Sequence, residues 1–310
     1  MAVSRELRAV DRLLAGYNLV LVVVWASAWS EAPYAPWLCL AHAAAAALPW
    51  LITGAEDRFS RPGWVLREVY PFLLLSVFWS ELGLLRGLLH ATAYDPAVEA
   101  MDLAVFGVHL HAVWLPHMPR LWLSELMHGS YFGYYGLIAG PALWLLARGR
   151  RDAYHDLTFR LLLSYLICYV IYIGFPVDGP IYTMAPYHGP LTHGVFYQLA
   201  HDVVEYGHAQ GATFPSSHVA GAVTIAWVGW RYFPRPVAAL LVLEALGVTV
   251  STVYTQNHYA VDSLAGVALA VLVQLWLAPW LLRLRPALVR PPLPVLPLAP
   301  PAPLPRARSA

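Results

Sequence analysis

The sequence predicts an all-α protein, a polytopic bundle of about eight transmembrane helices. Three observations support this prediction. Apolar residues make up 59% of the 310-residue chain and charged residues only 12%, whereas soluble domains average roughly 45–50% and 25%. Long apolar runs recur along the chain, and a helix needs about 20 residues to cross a bilayer core of about 30 Å. In addition, connections that contain arginine alternate along the chain with connections that contain none.

Eight runs have the length of a membrane-spanning helix. They cover about residues 13–29, 35–53, 69–89, 121–147, 157–175, 214–232, 237–255 and 262–282. The first run resembles a signal peptide, because three arginines precede it and Ala26-Ser27-Ala28 lies near its end. Since many spans follow, we expect it to be a retained helix. Residues 104–118 are too short to cross alone, so we expect an interfacial helix there.

The distribution of arginine predicts the orientation. Cytoplasmic ends of membrane helices accumulate arginine and lysine. Sixteen of the nineteen arginines lie in the two termini and in alternate connections, and the connections 90–119, 176–213 and 256–261 contain none. This pattern predicts an integral protein of a bacterial inner membrane, with both termini in the cytoplasm. A net charge of +1 argues against nucleic acid as a partner.

Two polar stretches lie in the connections without arginine. Pro215 and Ser216 begin the sixth span, and this pair is typical of a helix start whose free N–H groups bind anions such as phosphate. His218 follows. In the second stretch, a four-residue spacing places His258 and Asp262 on one helix face. The carboxylate can then hold one imidazole nitrogen and leave the other free to react.

These stretches resemble two sequence blocks of the type 2 phosphatidic acid phosphatase superfamily, Pro-Ser-Gly-His and Ser-Arg-x5-His-x3-Asp. Here the blocks read Pro215-Ser216-Ser217-His218 and Ser251-Thr252-x5-His258-x3-Asp262. The resemblance implies that His258 is the nucleophile that forms a phosphohistidine and that Asp262 orients it. It also implies that His218 is the acid or base at the leaving group. Ser216 and Ser217 would bind the substrate phosphate.

The chain departs from this pattern at two phosphate-binding positions. A first block, Lys-x6-Arg-Pro, cannot exist in a chain without lysine, and the arginine of the third block is Thr252 here. In this respect the chain is similar to the inositol phosphorylceramide synthases and the sphingomyelin synthases, which move a phospho-head group between lipids. The segment 130–135 also looks like that branch, so Tyr135 is expected to bind substrate.

The resemblance implies three regions. Residues 1–64 would hold the cytoplasmic N-terminus and two accessory transmembrane helices, and residues 65–282 the six-helix core. Residues 283–310 include nine prolines, a composition that forms neither a helix nor a packed core. We expect a disordered cytoplasmic tail, with an SH3-type ligand as the alternative.

A cation should replace the missing phosphate clamps, because their loss removes transition-state stabilisation. Arg86 and Arg120 lie toward the outer face. We favour Arg120 as the clamp; the alternative is that it pairs with Glu125 or Glu81. Metal binding is not expected, since the outer histidines lack cysteine or a tight acidic cluster. Among them, the candidates are His109, His111 and His117.

The expected function is therefore an integral membrane lipid phosphotransferase without a cofactor. It would move an inositol-phosphate-like group to a lipid alcohol on the extracytoplasmic face. Its partners would be membrane phospholipids or sphingolipids, and assembly into a homo-oligomer is an open alternative. The first alternative is a lipid phosphate or diphosphate phosphatase with water as acceptor. The remote alternative is a lipid transporter or scramblase.

Overall fold

The fold class is confirmed by the computed structural model, which describes residues 7–207 and 209–283 apart from the side chains of residues 55–57 and 60. Within these ranges the chain forms helices and no β-strand. The predicted Pro-rich tail and the first six residues lie outside them. The main helices are α1 (Ala9–Ser27), α2 (Ala35–Thr53), α3 (Ala55–Leu89), α4 (Asp95–Phe106), α5 (Leu110–His117), α6 (Leu121–Ala147), α7 (Arg151–Gly174), α8 (Pro180–Thr183), α9 (Val195–Gly207), α10 (Ser217–Tyr232), α11 (Arg235–Tyr254), α12 (Ala260–Leu272) and α13 (Ala278–Arg283).

Six helical segments of the described chain are long and apolar enough to cross a membrane. They are α1, α2, most of α3, α7, α11, and α12 continued through a π-helical turn at Val273–Leu277 into α13. A seventh is reached if the bent pair α4 and α5 counts as one span. Of the eight predicted spans, α6 and α10 are not among the six, and α10 has only 16 residues. The finding establishes a polytopic membrane bundle, and the count of eight stays a prediction.

The third span begins earlier than predicted, because α3 extends back to Ala55. Its first part is held against neighbouring helices by a buried carboxylate. Glu68 accepts hydrogen bonds from Arg8 at 2.9 Å and pairs with His155 of α7 at 3.0 Å. A network of charged side chains therefore joins α1, α3 and α7 at the end of the bundle that is rich in arginine.

The prediction of a single helix over residues 104–118 is wrong, while its position at the membrane interface stays a prediction. The structure has two helices there, α4 and α5, which meet at an angle of 67°. Gly107 ends α4 in the left-handed conformation, with φ of 71°, which glycine adopts at little cost. The chain therefore bends sharply between α4 and α5.

Helix α10 lies at the centre of the bundle and packs against α6, α7, α11 and α12. Small buried residues allow this packing, because they let helix backbones approach closely. A Cβ at Gly221 would collide with the Tyr165 hydroxyl of α7. At Gly266 of α12 it would lie 2.6 Å from the carbonyl oxygen of Ser216. Glycine at these two positions thus brings the start of α10 against α7 and α12.

Candidate active site

The start of α10 is fixed by two hydroxyl groups. Ser216 is the N-cap residue, and its Oγ accepts a hydrogen bond from Val219 N at 3.3 Å. The Tyr172 hydroxyl donates to the Pro215 carbonyl at 2.7 Å and accepts from Ser217 N at 3.1 Å. Two of the first N–H groups of the helix are therefore already bonded. Fewer N–H groups therefore remain free to bind a phosphate at this helix end than the sequence predicted.

The turn between α11 and α12 presents His258. The backbone N–H groups of Asn257 and His258 both donate to the Thr252 carbonyl, at 3.1 and 3.0 Å, and this closes α11. Asp262, in the first turn of α12, accepts from Tyr259 N at 2.9 Å. Such a bond caps the helix and also orients the carboxylate. The nucleophile expected from the sequence thus stands immediately before a capped helix.

The structure brings three of the predicted site residues together. Ser216 Oγ lies 3.2 Å from His258 Nε2. On the other side of the ring, His258 Nδ1 lies 3.4 Å from Asp262 Oδ2, slightly beyond the usual range for a hydrogen bond. Catalytic hydrogen bonds are often long before substrate binds. Ser216 N also donates to the Asp262 carbonyl at 3.0 Å, so the two helix starts are joined.

His218 stands beside this group. Its ring centroid is 5.6 Å from that of His258, with the two rings nearly perpendicular. Tyr131 and Tyr134 of α6 contact the His218 ring, with centroids at 5.2 and 4.5 Å. The Tyr131 hydroxyl lies 3.4 Å from His218 Nε2. His218 Nδ1 is buried and forms no hydrogen bond with a described residue.

A cavity of about 360 Å³ lies beside the two histidines. Its wall includes Ser217 and Tyr135, two of the residues expected to bind substrate, and many aromatic or apolar side chains from α3, α6, α7 and α9. Among the latter are Leu75, Trp79, Tyr131, Tyr134, Ile138, Tyr165, Tyr169, Val203 and Val204. Sites of this size with few polar groups suit largely apolar ligands.

The protonation of His258 follows from its surroundings. Burial lowers the pKa of His258 well below its usual value, and the neighbouring His218 lowers it further. The imidazole is therefore neutral near pH 7. A neutral ring with its Nδ1 toward Asp262 has a lone pair on Nε2, the atom beside Ser216.

The two candidate arginines are placed differently. Arg120 is exposed at the start of α6, eleven residues before Tyr131, which corresponds to roughly 16 Å along a helix. The structure does not bring it to the described cavity wall. The two carboxylates suggested as alternative partners of Arg120 form other hydrogen bonds. Glu125 accepts from backbone N–H groups at the start of α9, and Glu81 is bonded to His42 and Trp25. The bonds concerned are Phe196 N at 3.1 Å, Tyr197 N at 3.2 Å, His42 at 2.8 Å and Trp25 at 3.0 Å.

Arg86 lies at the cavity rim instead. It forms two hydrogen bonds with Asp178, at 3.2 and 3.0 Å, and Asp178 lines the cavity. Its aliphatic chain runs against Gly211, where a Cβ would come within 2.5 Å of Arg86 Cγ. Thr252, at the position of the family arginine, is fully buried and bonds Ser263 at 2.9 Å. It supplies no positive charge.

Sequence reasoning missed several residues that shape the site. Tyr172 fixes the start of α10 from a distant helix, and Asp178 holds Arg86 across 92 positions of the chain. Spacing along one helix could not reveal either contact. Tyr131 and Tyr134 lie in the segment 130–135, and their 3-residue spacing places both on one face of α6. That face could have been recognised as the one toward the site.

Comparison with known proteins identifies one matching family. A family model described as the PAP2 superfamily matches residues 97–276, more than half of the chain. No curated protein and no solved structure matches. The matched range contains His218, His258 and Asp262, while α1, α2 and α3 precede it.

Proposed function

The chain belongs to the PAP2 superfamily, whose members are phosphatases or phosphotransferases, and we propose that it transfers a phospho-head group between lipids through a phosphohistidine at His258. The observation that carries this proposal is the position of His258. Its ring lies between Ser216 and Asp262 beside an aromatic cavity. The integral membrane character of the chain gives this cavity access to lipids.

The proposed reaction has two steps. In the first, His258 Nε2 attacks the phosphorus of the donor lipid, and the bond from phosphorus to the leaving alcohol oxygen breaks. Protonated His218, favoured by the bound phosphate anion, gives its proton to that oxygen. In the second, an acceptor alcohol attacks the phosphorus, its proton passes to His218, and the bond to His258 breaks. Asp262 stabilises the positive charge that forms on the His258 ring.

The charge of the site favours a phosphodiester over a phosphomonoester. The chain contains no lysine, and the described cavity wall includes Asp178 but no arginine. A phosphodiester carries one negative charge less than a monoester dianion, so it needs less compensation in such a site. Phosphodiester lipids are therefore the proposed donors, and a lipid alcohol is the proposed acceptor. The resemblance to the inositol phosphorylceramide synthases is the reason to propose an inositol-phosphate-like head group. Ser216 and Ser217 would contact the phosphate, and Tyr135 the lipid.

We place the site on the extracytoplasmic face. Helix α7 runs from Arg151 to Gly174, and the charged network of Arg8, Glu68 and His155 lies near its first end. Asp178 and the cavity lie toward its second end. The alternation of arginine along the sequence supports a cytoplasmic position for the first end, and hence an extracytoplasmic position for the second.

The test of this function is an assay of the purified protein on a panel of lipids. Donors would include a phosphoinositide-type phosphodiester, phosphatidic acid and a polyprenyl diphosphate, each with ceramide or diacylglycerol as acceptor. We expect a new phospholipid to form faster than soluble head-group phosphate is released. Rapid hydrolysis of phosphatidic acid or of the diphosphate, without an acceptor product, would instead establish the phosphatase alternative. His258→Gln supplies the background rate.

Arg86 is the proposed clamp, because its partner Asp178 lines the cavity. The Asp178 carboxylate offsets much of its charge, so this clamp suits a singly charged phosphodiester better than a monoester dianion. Arg86→Gln should lower kcat/KM by about 10²–10³-fold, the usual cost of removing one group that stabilises transition-state charge. Arg120→Ala is the matched control and should change kcat/KM by less than about threefold, since an exposed side chain distant from the site is removed. A large loss in Arg120→Ala with none in Arg86→Gln would return the role to Arg120.

A further inference from the structure

A second cluster of polar side chains lies outside the cavity, where α4 meets α5. Asp102 Oδ2 is 3.7 Å from His109 Nδ1 and 3.7 Å from His111 Nδ1. All three atoms lie within 4.8 Å of one another. The left-handed turn at Gly107 allows this arrangement, because it bends the chain by 67° between α4 and α5 and leaves both histidines beside Asp102 of α4.

The three facing atoms are buried and lack hydrogen bonds. Asp102 is fully buried and His111 is 4% exposed. Asp102 Oδ2, His109 Nδ1 and His111 Nδ1 have no hydrogen-bond partner among the described residues. A separation of 3.7 Å is too long for a hydrogen bond, and a buried carboxylate without compensation is costly. A cation shared by the three atoms would remove this cost.

We propose that Asp102, His109 and His111 bind a divalent transition metal, with Zn²⁺ as the best match. Two imidazole nitrogens and one carboxylate oxygen are a common zinc donor set. Zinc ligands at about 2.0–2.1 Å in a tetrahedron are separated by roughly 3.3 Å. The two 3.7 Å gaps therefore need to close by a few tenths of an ångström, and the third separation, which is within 4.8 Å, by up to about 1.5 Å. Water would complete the coordination.

The surroundings of the cluster fit a metal centre. The second carboxylate oxygen, Asp102 Oδ1, accepts a hydrogen bond from Val261 N at 2.9 Å. Outer hydrogen bonds of this kind orient metal ligands. No metal was expected from the sequence, because the outer histidines lack cysteine or a tight acidic cluster. Asp102 comes next to them only through the turn at Gly107.

The proposed metal would hold the turn that presents His258. Besides the bond from Val261 N to Asp102, the Gln256 side chain donates to the His111 carbonyl at 3.1 Å. The His111 ring also packs edge-on against Tyr259, with centroids 4.9 Å apart. The residues on both sides of His258 therefore contact the metal ligands. Its role is structural, since none of the three ligands lines the cavity.

The test measures metal directly and does not depend on the proposed function. The full-length protein, purified in detergent with a tag free of histidine, should contain about one Zn²⁺ per chain by elemental mass spectrometry. His109→Ala should lose most of this zinc. The side chain of His109 is 37% exposed, so this variant should still fold. His117→Ala is the matched control, because the His117 ring is exposed and, among the described residues, is hydrogen-bonded only within its own helix, at Val113 O.

A second variant separates metal binding from helix capping. Asp102→Asn keeps an oxygen that can accept from Val261 N but removes the charge, so zinc content should fall while the fold is retained. In chelator-treated wild type, added Zn²⁺ should raise Tm by about 3 °C or more, and in His109→Ala it should not. Equal zinc content in wild type and His109→Ala, or wild type without zinc and without a Tm shift, would overturn the proposal.

Discussion

Replacement of His258 by glutamine should reduce lipid phosphotransfer to background, a loss on the order of 10⁵-fold or more, as expected when a covalent nucleophile is removed. Glutamine can still bond to Ser216, which lies 3.2 Å from His258 Nε2, so the start of α10 should keep its contact. The amide cannot attack phosphorus. Initial rates of transfer from a labelled phosphodiester lipid measure the effect.

The matched control is a histidine outside the cavity. Among the described residues the His201 ring of α9 forms one hydrogen bond, to Tyr197 O at 2.8 Å, and stacks with His128 of α6 at 5.5 Å. It does not line the cavity. His201→Gln should keep transfer within about threefold of wild type. A His258→Gln protein with a normal melting temperature and near-normal transfer would contradict the assignment of the nucleophile.

Replacement of His218 by glutamine should slow transfer by about 10²–10⁴-fold, because the leaving alcohol then departs without a proton donor. The effect should depend on the leaving group. A nitrophenyl phosphodiester releases a weakly basic phenolate that needs no proton, so the loss on this substrate should shrink to less than about tenfold. The ratio of the two losses is the informative quantity.

Tyr131→Phe is the control for this experiment. It removes the hydroxyl that lies 3.4 Å from His218 Nε2 and keeps the ring that packs on it. Tyr131 is a positioning residue, and we expect the variant to lose less than about tenfold on either substrate. Equal losses of His218→Gln on both substrates would show that His218 does not act by protonating the leaving group.

The parts of the molecule that could be predicted are those encoded by local spacing. The four-residue separation of His258 and Asp262 was sufficient to predict their pairing, and Ser216 was recognisable as a helix start. The all-α membrane fold followed from composition and from the length of the apolar runs. Local signals sufficed because each of these features depends on residues within one or two helical turns.

The features that escaped prediction depend on tertiary contacts. Arg86 and Asp178 are 92 positions apart, and only the packed bundle shows that they pair at the cavity rim. Asp102 meets two histidines because Gly107 breaks the helix between them. The apolar pattern alone did not show that break, since residues on both sides of the glycine are suitable for a helix.

The central claim is that His258 carries the phosphoryl group between donor and acceptor. The most direct measurement mixes the enzyme with a donor lipid labelled with radioactive phosphorus, stops the reaction in alkali to preserve phosphohistidine, and identifies the labelled peptide by mass spectrometry. We expect label on His258 that disappears when a lipid alcohol is added and that is absent from His258→Gln. Turnover with label on another residue, or with none on His258 at any time, would contradict it.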